Sequence, residues 1–190
     1  MCDKIYWNNF YKNNNNLIKE PSSFCLFIMK YFENNTDLNI LDIGCGNGRD
    51  SLYMSKKYNV TGIDTSLCLD LKNSEKCKFI NADFCRHDKT NFNFLYSRFT
   101  FHSITNKDHE LLLESVKSNT YLCIETRSDK NKFDKKYHKS DHYRNYTNID
   151  YLKSLLDKHK FEIIYIEEKN NFAKYKDENP VCIRLISKKN

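Results

Sequence analysis

Short continuous apolar runs alternate along the chain with stretches of helical periodicity. Residues 38–43 (LNILDI), 59–64 (NVTGID), 78–81, 93–97 (NFLYS) and 121–125 (YLCIE) have the length and β-branched or aromatic content of buried strands. Between them the period changes. After Pro21-Ser22-Ser23, a helix-start signal, Phe24, Phe27, Ile28, Tyr31 and Phe32 recur at helical spacing. Residues 49–58 predict a helix with Leu52 and Met54 inward. Residues 107–117 predict an amphipathic one through Leu111, Leu112 and Val116, and residues 149–159 another. The aromatic, polar segment 4–13 (KIYWNNFYKN) predicts one short helix. Residues 161–167 and 181–186 predict two closing strands joined by a polar connection. Residues 127–146 are charged and rich in His and Tyr, with little apolar periodicity, and predict an inserted loop or small lid.

Strands alternating with helices imply an α/β fold with a parallel sheet covered on both faces. Two final strands without a helix between them predict that the last is antiparallel. A length of 190 residues fits one domain with a core of its own. Nothing approaches the roughly 20 apolar residues that span a bilayer, and the polar opening Met1-Cys2-Asp3-Lys4 does not read as a secretory signal. The eight cysteines show no C-x-x-C pair and no zinc-finger spacing. We therefore expect free thiols, a cytoplasmic location, no metal and no membrane partner. The net charge of +6 serves solubility or favours an anionic partner.

Glycine changes the picture. The chain has four, Gly44, Gly46, Gly48 and Gly62, all within nineteen positions. Glycine tolerates positive φ and lets backbone approach a ligand. In LDIGCGNG an apolar strand ends near an acid, Asp42, and three alternating glycines follow. A dinucleotide site wants G-x-G-x-x-G; here Arg49 stands at the third glycine position, and Asp42 would face phosphates unfavourably. S-adenosylmethionine (SAM) carries no phosphate. Asp42 can meet its methionyl ammonium, and the bare turn Gly44-Cys45-Gly46 lets adenosine lie close. Asp64 ends the next predicted strand, 16 residues after Gly48, where a carboxylate can accept from ribose hydroxyls or cap the turn at Thr65-Ser66. Asp83 and Phe84 end the third, where they can meet adenine or serve as a loop acid and a core aromatic.

LDIGCGNGRDS, VTGIDTS and NADF, in this order and spacing, resemble the successive cofactor motifs of class I SAM-dependent methyltransferases, and the likeness covers essentially the whole length. It implies a Rossmann-like three-layer sandwich on a seven-stranded, mostly parallel sheet of order 3-2-1-4-5-7-6, the last strand antiparallel. It implies SAM as cofactor, S-adenosylhomocysteine (SAH) as product, and Arg49, Thr65 and Ser97 beside the residues above in the cofactor site. Trp7 and Tyr11 would cover that site from an N-terminal lid within residues 1–34. YWNNFYK, EPSSF, LYSRFTFHSI, IETRS, HYRNY and ENPVCIRLI resemble small methyltransferases linked to tellurite resistance and surface-polysaccharide biosynthesis. That likeness implies a sugar, nucleotide-sugar or similar polar acceptor. The turn that usually reads Pro-Gly-Gly before the fifth strand is here Lys117-Ser118-Asn119, and Asn119 can take the left-handed conformation it needs.

The acceptor is expected beyond the carboxyl ends of the fourth and fifth strands. His102, His142 and Glu125 are the candidates for a base or its orienter. Arg98, Arg127, Tyr143 and Arg144 are the candidate substrate contacts, the arginines for a phosphorylated or nucleotide-linked group. Two rivals remain: a nucleic-acid (RNA) methyltransferase, opposed by YSRF where a D/N-P-P-[YF] motif would stand, and a non-catalytic SAM-binding partner. A monomer or homodimer is expected.

Overall fold

The computed structural model describes residues 4–13, 19–66, 71–131, 143–175 and 177–190. Seven strands form one sheet of order β3-β2-β1-β4-β5-β7-β6. They are β1 (Asn39–Ile43), β2 (Asn59–Asp64), β3 (Cys77–Asn81), β4 (Phe94–Arg98), β5 (Tyr121–Arg127), β6 (Phe161–Lys169) and β7 (Cys182–Lys189). β7 runs antiparallel to both neighbours, and the other pairings are parallel. Fold class and strand order are those the sequence implied.

Helices α2 (Ser23–Tyr31) and α3 (Arg49–Met54) cover one face, packing Phe24, Ile28 and Met54 against Ile40, Phe94 and Tyr96. Helices α4 (Asn106–Glu114) and α5 (Ile149–Lys158) cover the other, packing Leu112, Leu113, Leu152 and Leu156 against Leu41, Ile43, Leu122 and Ile124. The inner strands β1, β4 and β5 thus bury both faces, which is why they read as continuous apolar runs, whereas the edge strands β3 and β6 stay partly exposed. The caps follow local chemistry. Ser22 accepts from the Cys25 amide at α2, Thr105 and Asp108 form a capping box at α4, and Asn148 accepts from the Tyr151 amide at α5. Asn119 is left-handed at φ 65°, as expected for that turn. Helix α1 (Lys4–Asn13) buries no residue.

One packing expectation fails. Met54 is buried as expected, but Leu52 is 46 % exposed, and α3 turns Ser51 to the sheet in its place. The cause is polar: the Ser51 hydroxyl donates to Asp42 at 2.5 Å, which helps to fix the rotation of a very short helix. Among the described residues no helix is long and apolar enough to cross a membrane.

Lys89, in the β3–β4 connection, is 1 % exposed. Its ammonium donates to the carbonyls of Cys85 (3.2 Å) and His87 (2.8 Å) and to Ser115 Oγ (3.1 Å), tying the connection to the end of α4. Lys89→Met should lower stability by about 1–3 kcal/mol, because buried acceptors lose their donor. An unchanged urea midpoint would contradict that role.

Candidate functional site

The chain leaves β1 through a turn in which Gly44, Gly46 and Gly48 all have positive φ, at 72°, 55° and 71°. An L side chain meets steric resistance in that region, so the alternation of glycines is a backbone requirement. A Cβ on Gly44 would collide with the Thr100 hydroxyl, and one on Gly46 with the Tyr11 hydroxyl. The amides of this turn point inward. Gly44 and Cys45 donate to the Ile63 carbonyl at 2.8 and 3.2 Å, Gly46 to Asp64 Oδ2 at 2.9 Å, and Gly48 to the Cys45 carbonyl at 2.9 Å. A turn that cradles phosphate aims its amides at the ligand. This one has spent four of them on its own frame.

Above the turn lies a cavity of about 840 Å³ at the carboxyl ends of the strands, within the size range of small-molecule sites. Its two sides differ in charge. Asp42, Asp50 and Asp64 wall the side nearest the turn. Burial pushes the Asp42 pKa up to about 8; the Ser51 hydrogen bond opposes this, while Asp50 and Asp64 add to it. Burial also raises Asp64, against the pull of the Ser66, Gly46 and Thr65 amides. Carboxyls so placed are stabilised as anions by a cation brought among them. Asp50 is held by the Ser22 amide, the Ser22 hydroxyl and the Tyr96 hydroxyl, each at 2.7 Å. Arg98, Phe99 and Arg127 wall the far side, joined by Lys174, Tyr175 and Glu178 from the β6–β7 connection. Arg49 lines the cavity beside Asp50. Burial lowers its pKa first, and the neighbouring Arg98 charge lowers it further.

Asp42 gives a pH prediction for the ligand-free protein. Its folded-state pKa lies above its ordinary value, so its contribution to stability is full below about pH 4 and is lost as pH rises toward 8. Asp42→Asn removes the titration. The variant should therefore gain on the wild type between about pH 5 and pH 8, measured by urea unfolding at both values; a constant difference would refute the assignment.

Many of the expected residues converge. Trp7, Tyr11, Asp42, Gly44, Cys45, Gly46, Arg49, Asp64, Phe84, Arg98 and Arg127 all wall the cavity. Others stand behind its wall. Thr65 Oγ1 and Ser97 Oγ are buried without a hydrogen-bond partner among the described residues. Asp83 spends its carboxylate on the Cys85 amide (2.9 Å) and on Arg86 (2.6 Å). His102 is 4 % exposed; its ring packs on Phe99, and Nδ1 faces the Arg127 amide at 3.4 Å. Glu125 is fully buried and accepts from Arg98 Nε at 2.9 Å and from Arg184 Nε at 2.7 Å. A carboxylate held by two guanidiniums is placed to orient them. Tyr143 is exposed, and Arg144 lies close enough to Arg127 for the like charge to add to the lowering that burial causes. His142 lies outside the described residues.

Sequence reasoning missed Asp50, Arg184 and the β6–β7 connection. Arg184 had a signal, since a lone arginine inside the apolar strand CIRLI is a charge that needs a buried partner. Phe99 had none for its backbone, yet it is left-handed at φ 60°.

A methyltransferase-domain family model matches residues 16–166. No curated protein matches the sequence. Among solved structures, the chain is similar to a SAM-dependent methyltransferase from Anabaena variabilis, with a TM-score of 0.76 and 18% identity over 98% of this chain and 93% of that one. A SAM-dependent methyltransferase from Methanosarcina mazei gives 0.66 and 23% over 86% and 96%. Magnesium protoporphyrin IX methyltransferase from Synechocystis with bound SAM gives 0.70 and 11% over 98% and 95%. At these identities the likeness is one of fold.

Proposed function

The chain belongs to the methyltransferase-domain family, and from that premise we propose that it uses SAM to methylate a small polar acceptor, a hydroxyl of a sugar, nucleotide-sugar or glycan precursor. The observation that carries the cofactor reading is the turn whose amides face inward beside three buried acids. It suits a ligand with a cationic head and no phosphate. The residues fit that group: Asp42 for the ammonium, Arg49 for the carboxylate, Asp64 for the ribose and Phe84 for the adenine ring. Trp7 and Tyr11 cover it from α1, the lid part of residues 1–34; α2, within the same residues, packs in the core instead.

When bound, SAM supplies a methyl group on a sulfonium, already an activated leaving group. The residues of the chain then align the acceptor and exclude water. Arg98 and Arg127 orient it from the far wall, with Glu125 fixing the Arg98 guanidinium. Arg144, beside Arg127, and Tyr143 are the further proposed acceptor contacts. His142 and His102 remain the proposed proton acceptors. The described cysteines are free thiols, in keeping with a cytoplasmic enzyme.

One observation favours a second reading, a SAM-binding subunit without turnover: no described histidine walls the cavity. Calorimetry with SAM, followed by an SAH-release assay over sugars, sugar phosphates and nucleotide-sugars, separates the two. Binding with turnover on one of these supports the enzyme. Binding without turnover on any of them supports the subunit, and no binding refutes both.

A further inference from the structure

Arg98 on β4, Glu125 on β5 and Arg184 on β7 are direct register partners across three adjacent strands. Their side chains therefore share one face of the sheet. They form one unbroken chain of charge, Arg184 to Glu125 to Arg98, with side-chain exposures of 7 %, 0 % and 20 %. Two guanidiniums share one carboxylate, so the row carries an excess positive charge. The inner end is fully committed: Arg184 also donates to Ser23 Oγ (2.8 Å) and the Phe172 carbonyl (3.0 Å) and packs 4.2 Å from the Phe172 ring centroid. The outer end is open. Arg98 engages a described residue through Nε alone, lies 4.3 Å from the Phe99 ring centroid and walls the cavity. Asp50 is the other acid acting strongly on Arg98, and it is shared with Arg49 at 3.9 Å. A buried charge answered only in part is costly, and the cavity side of the guanidinium is where a further anion can answer it. The Phe99 backbone adds to this, because a left-handed aromatic residue is strain held at the point where the ring supports that guanidinium.

We propose that Arg98 is the anion contact of the acceptor subsite, and that Arg184, which never reaches the cavity, is the positioning residue that holds it there through Glu125. The acceptor class is thereby narrowed to molecules bearing a phosphate or carboxylate. This rests on the methyltransferase reading of the cavity.

Trp7, the single tryptophan, walls the same cavity and reports its occupancy by fluorescence. The full chain, saturated with SAH, is titrated with inorganic phosphate. Saturable binding is expected in the wild type, weakened at least about tenfold in Arg184→Met and largely restored in Arg184→Lys. Calorimetric SAH affinity should stay within about twofold throughout. Adding Arg184→Met to Arg98→Gln should cost nothing further, because its action passes through Arg98. The proposal is overturned by an SAH-loaded wild type that shows no saturable response, by phosphate that displaces SAH, or by an Arg184 effect additive with that of Arg98. Should Arg184→Met not fold, Arg98→Gln alone carries the test: it should lose the phosphate response at unchanged SAH affinity, and a wild-type phosphate response in it overturns the proposal. A wild type that takes up no SAH refutes the cofactor reading instead.

Discussion

Gly46→Val should leave the protein folded and unable to bind SAM. Two costs act together. At φ 55° a β-branched residue pays about 1–2 kcal/mol in backbone strain, which a domain of this size registers as a fall of a few degrees in Tm. The second cost is spatial, since the new side chain occupies the place of the Tyr11 hydroxyl. Relief of either moves the turn that lies under the cofactor or the helix that lies over it. We expect no calorimetric binding, a loss of more than about a hundredfold. The double variant Tyr11→Ala/Gly46→Ala separates the two costs, because it removes the collision and keeps the strain. Wild-type affinity in Gly46→Val would remove this turn from the site.

Asp64→Ala should weaken SAM binding by roughly 1.5–3 kcal/mol, the scale of a charge-assisted hydrogen bond. The carboxylate has a double task. Its two oxygens already accept the Gly46 and Ser66 amides, both at 2.9 Å, while it walls the cavity at the end of β2. The ribose reading and the turn-capping reading are thus properties of one side chain. Asp64→Asn apportions them, since the amide keeps one oxygen for capping and loses the charge. An affinity unchanged in both variants would refute the ribose role.

The fold was legible because its signals are local. Continuous apolar runs marked the strands, Ser22 and Thr105 marked helix starts, and the missing helix between β6 and β7 gave the antiparallel ending. The cavity wall proposed for the cofactor was legible for the same reason, since Asp42, the glycines and Asp64 stand within a few residues of one turn or at the end of the next strand. The acceptor half was not. The row Arg98–Glu125–Arg184 exists only through register between strands distant in sequence, and no spacing rule gives that. Leu52 misled because a six-residue helix has no long stripe to set its rotation, and its polar anchors, Ser51 to Asp42 and Asp50 to Ser22 and Tyr96, set it instead. His102 has the chemistry of a base, and the turn that carries it, residues 101–103, packs it against Phe99, one layer behind the cavity wall, a placement no spacing rule gives.

Helix α1 contributes no buried side chain, yet Trp7 and Tyr11 close one side of the cavity. Its undocking exposes little apolar surface and disturbs no strand, so it sits at the low-energy end of the molecule's opening motions. On the proposed reading, this helix has to lift both for product to leave and for donor to enter.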